Sequence, residues 1–237
     1  MKLGIIGAMD VEVALLKENM QNMTAEKHAW SDYFEGQLSG VDAVVVQCGV
    51  GKVNAALCAQ ILCDIYGVTH LVNTGIAGSL SADLDIGDLV VSRDAIYHDF
   101  DISHFGRAVG EVPGMGVTAF PADEAMTETA FAAAEGVNPG HTRIGRIASG
   151  DQFVCSKEKK EKIIADTKAI CTEMEGAAIA HTAYRNAIPF VILRAISDKA
   201  DDSAEMDYPT FEAIAAKRCA QVTMAMAQKL QEKTERN

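Results

Sequence analysis

Pro189-Phe190-Val191-Ile192-Leu193-Arg194-Ala195-Ile196-Ser197-Asp198 is the stretch that decides the fold. Its apolar run does not alternate, and it closes on an acidic turn. A run of this kind reads as a strand buried on both faces, as found in parallel sheets covered by helices on each side. A single arginine inside it, and an aspartate at its end, mark the place where an open α/β sheet holds its ligand.

Working outward, the chain alternates between strands and helices. Strands are predicted over Leu3–Ile6, Ala43–Gln47, His70–Asn73, Asp88–Ser92, Arg143–Ala148 and Ala169–Thr172. Helices are predicted over Val11–Met20, Lys52–Tyr66, Ser156–Ala165, Glu175–Arg185 and Thr210–Lys233. This alternation implies an α/β chain forming one three-layer domain over residues 1–237, with a central mixed, largely parallel twisted sheet flanked by helices. The stretch Tyr97–Ala122 is rich in His, Asp, Gly and Pro and has little periodicity. It reads as a long functional or interface loop.

Composition narrows the partners. With 21 basic against 33 acidic residues the net charge is −12, which disfavours a nucleic-acid backbone or an anionic membrane as partner. No run is long enough to span a membrane, and Asp10 and Glu12 cut short the apolar start that would otherwise suggest a signal peptide. The six cysteines show no C-x-x-C spacing and several lie in apolar runs, so reduced buried thiols and a cytoplasmic location are expected. His98-Asp99-Phe100-Asp101 with His104 offers ligand types but no standard metal spacing, and no metal is expected. Gly49-Val50-Gly51 after a strand starts a dinucleotide fingerprint, but Asn54 occupies the third glycine position, and no cofactor is expected.

The candidate chemistry lies in carboxylates at strand ends. Glu12 follows the first strand; there Asp10 reads as a helix N-cap and Glu12 as a first-turn acid, or Glu12 as a general base. Thr172-x-x-Glu175 matches a capping box, or Glu175 is a ligand. Asp198 is a turn residue or an acid. Residues just after different parallel strands converge at one edge, where three carboxylates would repel one another. That convergence favours function, with Arg194 close enough to offset part of the repulsion. Gly75-Ile76-Ala77-Gly78 reads as a tight βα turn or as a close backbone approach to a ligand. Phe153, at another strand end, could stack on a planar ligand.

These motifs, Gly4–Glu12, Cys48–Ala55, Asn73–Gly78, Ala148–Phe153, Glu173–Ala178 and Arg194–Asp198, together resemble the 5'-methylthioadenosine/S-adenosylhomocysteine nucleosidase family of the purine nucleoside phosphorylase-like superfamily. The resemblance covers nearly the whole chain. It implies hydrolysis of the N-glycosidic bond of 5'-methylthioadenosine, S-adenosylhomocysteine and 5'-deoxyadenosine, with release of adenine, in methionine salvage. It implies that Asp198 protonates N7 of adenine, that Phe153 stacks on the base and that the Val154 backbone reads its edge. Met174 and Glu175 would bind the ribose, and Glu12 would activate water with Arg194 nearby. Met9, Val50 and Tyr208 would line the 5'-thio pocket, and Gly78 and Ser197 complete the substrate-binding set. Phe105 and Pro113 would complete the partner's site, which implies a homodimer. Two positions depart from the family: Ile76 stands where a small polar residue is frequent, and Tyr208 where Phe is frequent.

Adenine leaves readily only once N7 is protonated, so the resemblance requires Asp198 to hold a proton and Glu12 to be ionised. A phosphorylase on the same fold would need an anion site near the first strand, where Asp10 and Glu12 stand instead. A nucleoside sensor would lack the acid–base set. Hydrolysis of aminodeoxyfutalosine is left open by the sequence.

Overall fold

A computed structural model describes residues 1–235. The chain begins with β1 (Lys2–Gly7), α1 (Asp10–Glu18) and three antiparallel-connected strands, β2 (Met20–His28), β3 (Ser31–Leu38) and β4 (Val41–Gln47). It continues through α2 (Lys52–Asp64), β5 (His70–Ser79), β6 (Leu89–Tyr97), β7 (Phe120–Pro121) and α3 (Glu124–Val137). It ends with β8 (Thr142–Ser149), α4 (Lys157–Thr167), β9 (Cys171–Glu173), α5 (Gly176–Asn186), β10 (Phe190–Asp198) and the long α6 (Ala204–Glu235). All ten strands join one mixed sheet, sandwiched between helices as the alternation predicts.

Hydrophobic burial sets the layers. Leu3 and Ile5 of β1 face α1, α3 and α6, through Val13, Leu16, Ala130, Ala216 and Val222. Ile6, Val44 and Val46 face the other way, onto α2 and α5 through Ala59, Leu62, Ile179 and Ala183. β10 is buried at every position, which explains its continuous apolar run. No helix among the described residues is long and apolar enough to cross a membrane.

Two features of the sheet position the site. First, β5, β10, β6, β8 and β9 pair in a closed ring, because β9 bonds both β8 and β5. The short β9 thus brings the ends of β5 and β8 together, through Gly78 beside Thr172 and Ser149 beside Glu173, and β10 ends beside β5, with Asp198 opposite Gly78. Second, β5 forks. Its first residues, His70–Asn73, pair with β1, but β1 stops at Gly7, and the far end of β5 pairs with β9 through Gly78 and Ser79.

The strand expected to end at Asn73 runs on to Ser79, so of the two readings of Gly75–Gly78 the turn is not formed. The glycines serve close approach. A Cβ on Gly75 would collide with the Glu12 carboxylate, and one on Gly78 would stand 2.7 Å from Asp198 Oδ1. The hairpin of β2 and β3 and the helix α3 add elements that the sequence pattern does not announce.

Candidate active site

Glu12 sits in the first turn of α1, where the fork of β5 leaves backbone donors without a strand partner. Its Oε1 accepts from Ile76 N at 3.1 Å, and its Oε2 accepts from Ala8 N at 2.7 Å and Met9 N at 3.0 Å. The helix itself starts from Met9, not Asp10; Asp10 is the first helical residue, and its carboxylate accepts from Lys17 Nζ at 2.8 Å. Burial pushes the Glu12 carboxyl above the ordinary carboxylate range, against the positive charge of Arg194 and the three N–H donors.

Asp198 closes β10. The pairing with β5 slips by one residue between Ile196 and Asp198, a bulge that breaks the alternation at Ser197. Asp198 Oδ1 accepts from Ala200 N at 2.8 Å and Oδ2 accepts from Ser197 Oγ at 2.8 Å, so the turn role read from sequence is present. Burial raises the Asp198 carboxyl, the donors from Ala200 and Ser197 lower it, and the negative charges of Asp207 and Asp201 raise it; the net direction is upward.

Glu175 is the N-cap residue of α5, but its side chain makes no capping bond and Thr172 Oγ1 is buried without a partner. The capping box expected from Thr172-x-x-Glu175 is therefore not formed. Capping comes from Glu173, whose Oε2 accepts from Glu175 N at 3.0 Å and Gly176 N at 2.8 Å. Glu175 turns instead to the glycine loop, where Oε1 accepts from Gly51 N at 2.8 Å. Gly51 has φ +100°, a conformation suited to glycine, and the loop presents its N–H to a carboxyl group of this chain. Burial and the neighbouring charge of Glu173 push the Glu175 carboxyl up to about 8.

Arg194 lies beneath these groups. It is 2% exposed and does not line the cavity; its Nη2 donates to Glu173 and to Asn73, and its Nη1 donates to Leu193 O at 3.1 Å. Burial works against the Glu173 carboxylate, but the Arg194 charge and the bonds from Arg194, Ser149 and the α5 backbone win, and its carboxyl is held below the usual range. Glu173 is the site residue that sequence reasoning passed over. The signal was the doubled acid of Glu173-Met174-Glu175, of which only the second was given a task.

The cavity encloses about 570 Å³ of space when its open mouth is included. Glu12, Met9, Val50, Gly78, Phe153, Val154, Met174, Glu175, Ser197, Asp198 and Tyr208 all line it, together with Ile76, Gln152, Thr172 and Glu173. None of the lining residues is a lysine, arginine or histidine. Phe153 is 46% exposed at the rim and meets the Tyr208 ring edge-on at 5.5 Å. Tyr208 Oη lies 3.3 Å from Met9 Sδ and donates to Glu212 Oε1 at 3.2 Å. Ile76 reaches Glu12 through its main chain, so that contact does not depend on its side chain. Phe105, 80% exposed, and Pro113 lie outside the cavity lining of the single chain.

Comparison with known proteins gives a consistent picture. The chain matches the sequence pattern of the Phosphorylase superfamily over residues 2–228. It is 38% identical over 234 residues to 5'-methylthioadenosine/S-adenosylhomocysteine nucleosidase of Geobacillus thermodenitrificans, covering 98% of this chain and 99% of that protein. It superposes with a TM-score of 0.93 and 38% identity on the crystal structure of a nucleosidase of the same name from Colwellia psychrerythraea in complex with adenine, covering 97% and 96% of the two chains. Futalosine hydrolase of Helicobacter pylori is also similar, with a TM-score of 0.92, 32% identity and coverage of 97% and 98%.

Proposed function

The chain belongs to the phosphorylase superfamily and, within it, to the 5'-methylthioadenosine/S-adenosylhomocysteine nucleosidases, and from that premise we propose a hydrolase that cleaves the N-glycosidic bond of both nucleosides and releases adenine. The observation that carries the assignment of roles is the meeting of Glu12, Glu175 and Asp198 in one cavity with an aromatic rim and no cationic lining residue.

In this reading the adenine ring lies against Phe153, with the Val154 backbone and Ser197 at its edge and Gly78 leaving room beside Asp198. Asp198 gives a proton to N7 as the C1'–N9 bond breaks. Its upward shift supports that task, because the group must be protonated near neutral pH. Negative carboxylates around C1' stabilise the oxocarbenium-like transition state. Water adds to C1' and loses its proton to Glu12, whose carboxylate is held in place by the Ala8, Met9 and Ile76 amides within the field of Arg194. Glu175 and Met174 hold the ribose, and Met9, Val50 and Tyr208 surround the 5' substituent. Arg194 acts from beneath, through Glu173 and its field on Glu12.

A phosphorylase needs a cation or free N–H groups for phosphate. Here the N–H groups of Ala8, Met9 and Ile76 are already taken by Glu12. We further infer that 5'-deoxyadenosine is a substrate, and that a homodimer brings Phe105 and Pro113 to the partner's 5' pocket. Their exposure is consistent with a covered position in a dimer.

The test is adenine release from 5'-methylthioadenosine with and without phosphate. Glu12→Gln and Asp198→Asn are each expected to lower turnover about 10²–10⁴-fold. Near-normal turnover in either variant, or strict dependence on phosphate, would overturn the assignment.

A further inference from the structure

Phe153 is half exposed, and among the described residues its one ring contact is the edge of Tyr208. Packing alone therefore does little to fix the wall against which a base would stack. What holds that loop is found behind it, in three residues that the sequence analysis left without a task.

Three loops bound this side of the mouth: Gly49–Gly51 before α2, the stretch after β6 that begins at His98, and the stretch after β8 that runs from Gly150 to Val154. One residue at or beside each loop joins a closed triangle. Lys52 Nζ donates to both carboxylate oxygens of Asp99 at 2.6 Å and lies 3.8 Å from Asp151 Oδ2. Asp151 N donates to Asp99 Oδ2 at 2.9 Å. Lys52 N donates in turn to Asp151 Oδ1 at 2.8 Å. Two of the three sides thus use main-chain donors, which ties the loop backbones rather than only the side-chain tips. The Asp151 bond also serves α2, because the N-cap residue Gly51 has no side chain to offer.

Close packing reinforces the triangle. A Cβ on Gly51 would stand 3.1 Å from Asp151 Oδ1, and one on Gly150 would collide with the His98 ring. The Lys52 ammonium also sits 5.4 Å from the centre of the Tyr97 ring. The carboxyl of Asp99 is held below its usual range: burial opposes this, but the bonds from Lys52 and Asp151 prevail.

None of the three residues lines the cavity, yet Lys52 and Asp151 adjoin its walls in the chain, and Asp99 bonds both of them. Lys52 follows Gly51, whose N–H holds Glu175, and Asp151 precedes Gln152 and Phe153. We propose that Lys52, Asp99 and Asp151 form a positioning clamp that fixes the Phe153–Val154 base wall at a set distance from the Val50–Gly51 wall carrying Glu175. The proposal rests on the nucleoside-hydrolysing reading for what occupies the gap. The clamp acts on binding geometry and leaves the proton chemistry of Glu12 and Asp198 alone.

The experiment compares wild type with Lys52→Met, Asp99→Asn and Lys52→Arg in the full chain. KM for 5'-methylthioadenosine, kcat, the pH profile of kcat, the melting temperature and the calorimetric Kd for free adenine are measured together. In Lys52→Met and Asp99→Asn, KM and the adenine Kd are expected to rise about 10- to 100-fold with the pH profile unmoved, and Lys52→Arg is expected to recover part of the loss. KM and adenine Kd within twofold of wild type in both variants would overturn the clamp, whether or not the melting temperature falls. A loss confined to kcat, or a displaced pH profile, would overturn it as well. If wild type binds adenine but hydrolyses no nucleoside, the functional reading fails while the adenine Kd still judges the clamp.

Discussion

Glu173 and Glu175 flank the same methionine and reach the same cavity, but they hold their protons in opposite ways. Glu173, at the end of β9, receives Arg194, the Ser149 hydroxyl and two N–H donors of α5, and its carboxyl is held low. Glu175, one turn of chain later, receives a single N–H from Gly51 and faces the negative charge of Glu173, and its carboxyl is pushed up to about 8. The counter-charge and the donors have been given to the residue that frames the site. The residue proposed to face the ribose is left with a single donor, so lone pairs there are free for a hydroxyl in that reading.

The most damaging way to break this contrast is Glu173→Gln. It leaves the Arg194 guanidinium buried without its main counter-charge, a loss of about 3–5 kcal/mol. Melting temperature should fall on the order of 10 °C, at roughly 2–4 °C per kcal/mol for a chain of this size. An unchanged melting temperature would mean that Glu175 takes over Arg194, and the contrast would collapse.

Glu175→Gln comes next. Loss of the carboxyl group proposed to hold the ribose is expected to lower adenine release about 10- to 100-fold. Its effect on stability has the opposite sign at alkaline pH. The folded carboxyl titrates near 8, above its unfolded value, so the native state holds the extra proton in between. That contribution is complete below the unfolded value and is lost as pH rises through about 8. Glutamine does not ionise, so the variant should gain on wild type in melting temperature between pH 6 and pH 9. Parallel curves across that range would show that Glu175 is not perturbed.

Gly78→Ala tests the same principle on the other wall. The new methyl would press on Asp198 Oδ1, and adenine release should fall about 10-fold with little change in Glu175 titration. The smallest effect is expected from Tyr208→Phe. It removes the hydroxyl shared between Glu212 Oε1 and Met9 Sδ, a loss of about 0.5–1.5 kcal/mol, and stability should change by no more than that in a denaturant melt.

Much of the frame was legible in the sequence because burial writes a pattern. β10, β4 and β1 show as apolar runs, and their helices follow. The hairpin was not legible: β2 is exposed along nearly its whole length, so Met20–His28 has no apolar face to alternate. Helix α3 buries Ala130, Ala133 and Ala134, small residues that give a faint periodic signal. Gly75–Gly78 stayed open between a turn and a close approach because the carboxylates that exclude a Cβ there come from α1 and β10, far away in sequence. The role of Glu173 depends on Arg194 across the ring of strands, a pairing that no local spacing encodes.

The fork in β5 has one more consequence. Most protected amides in a sheet are shielded by another strand, but the Ile76 amide is shielded by the side chain of the residue that would activate water. Solvent hydrogen exchange at that single amide is therefore a built-in reporter on where the Glu12 carboxylate points. An inhibitor that draws the carboxylate toward itself should unprotect Ile76 while its neighbours in β5 keep their deuterium out.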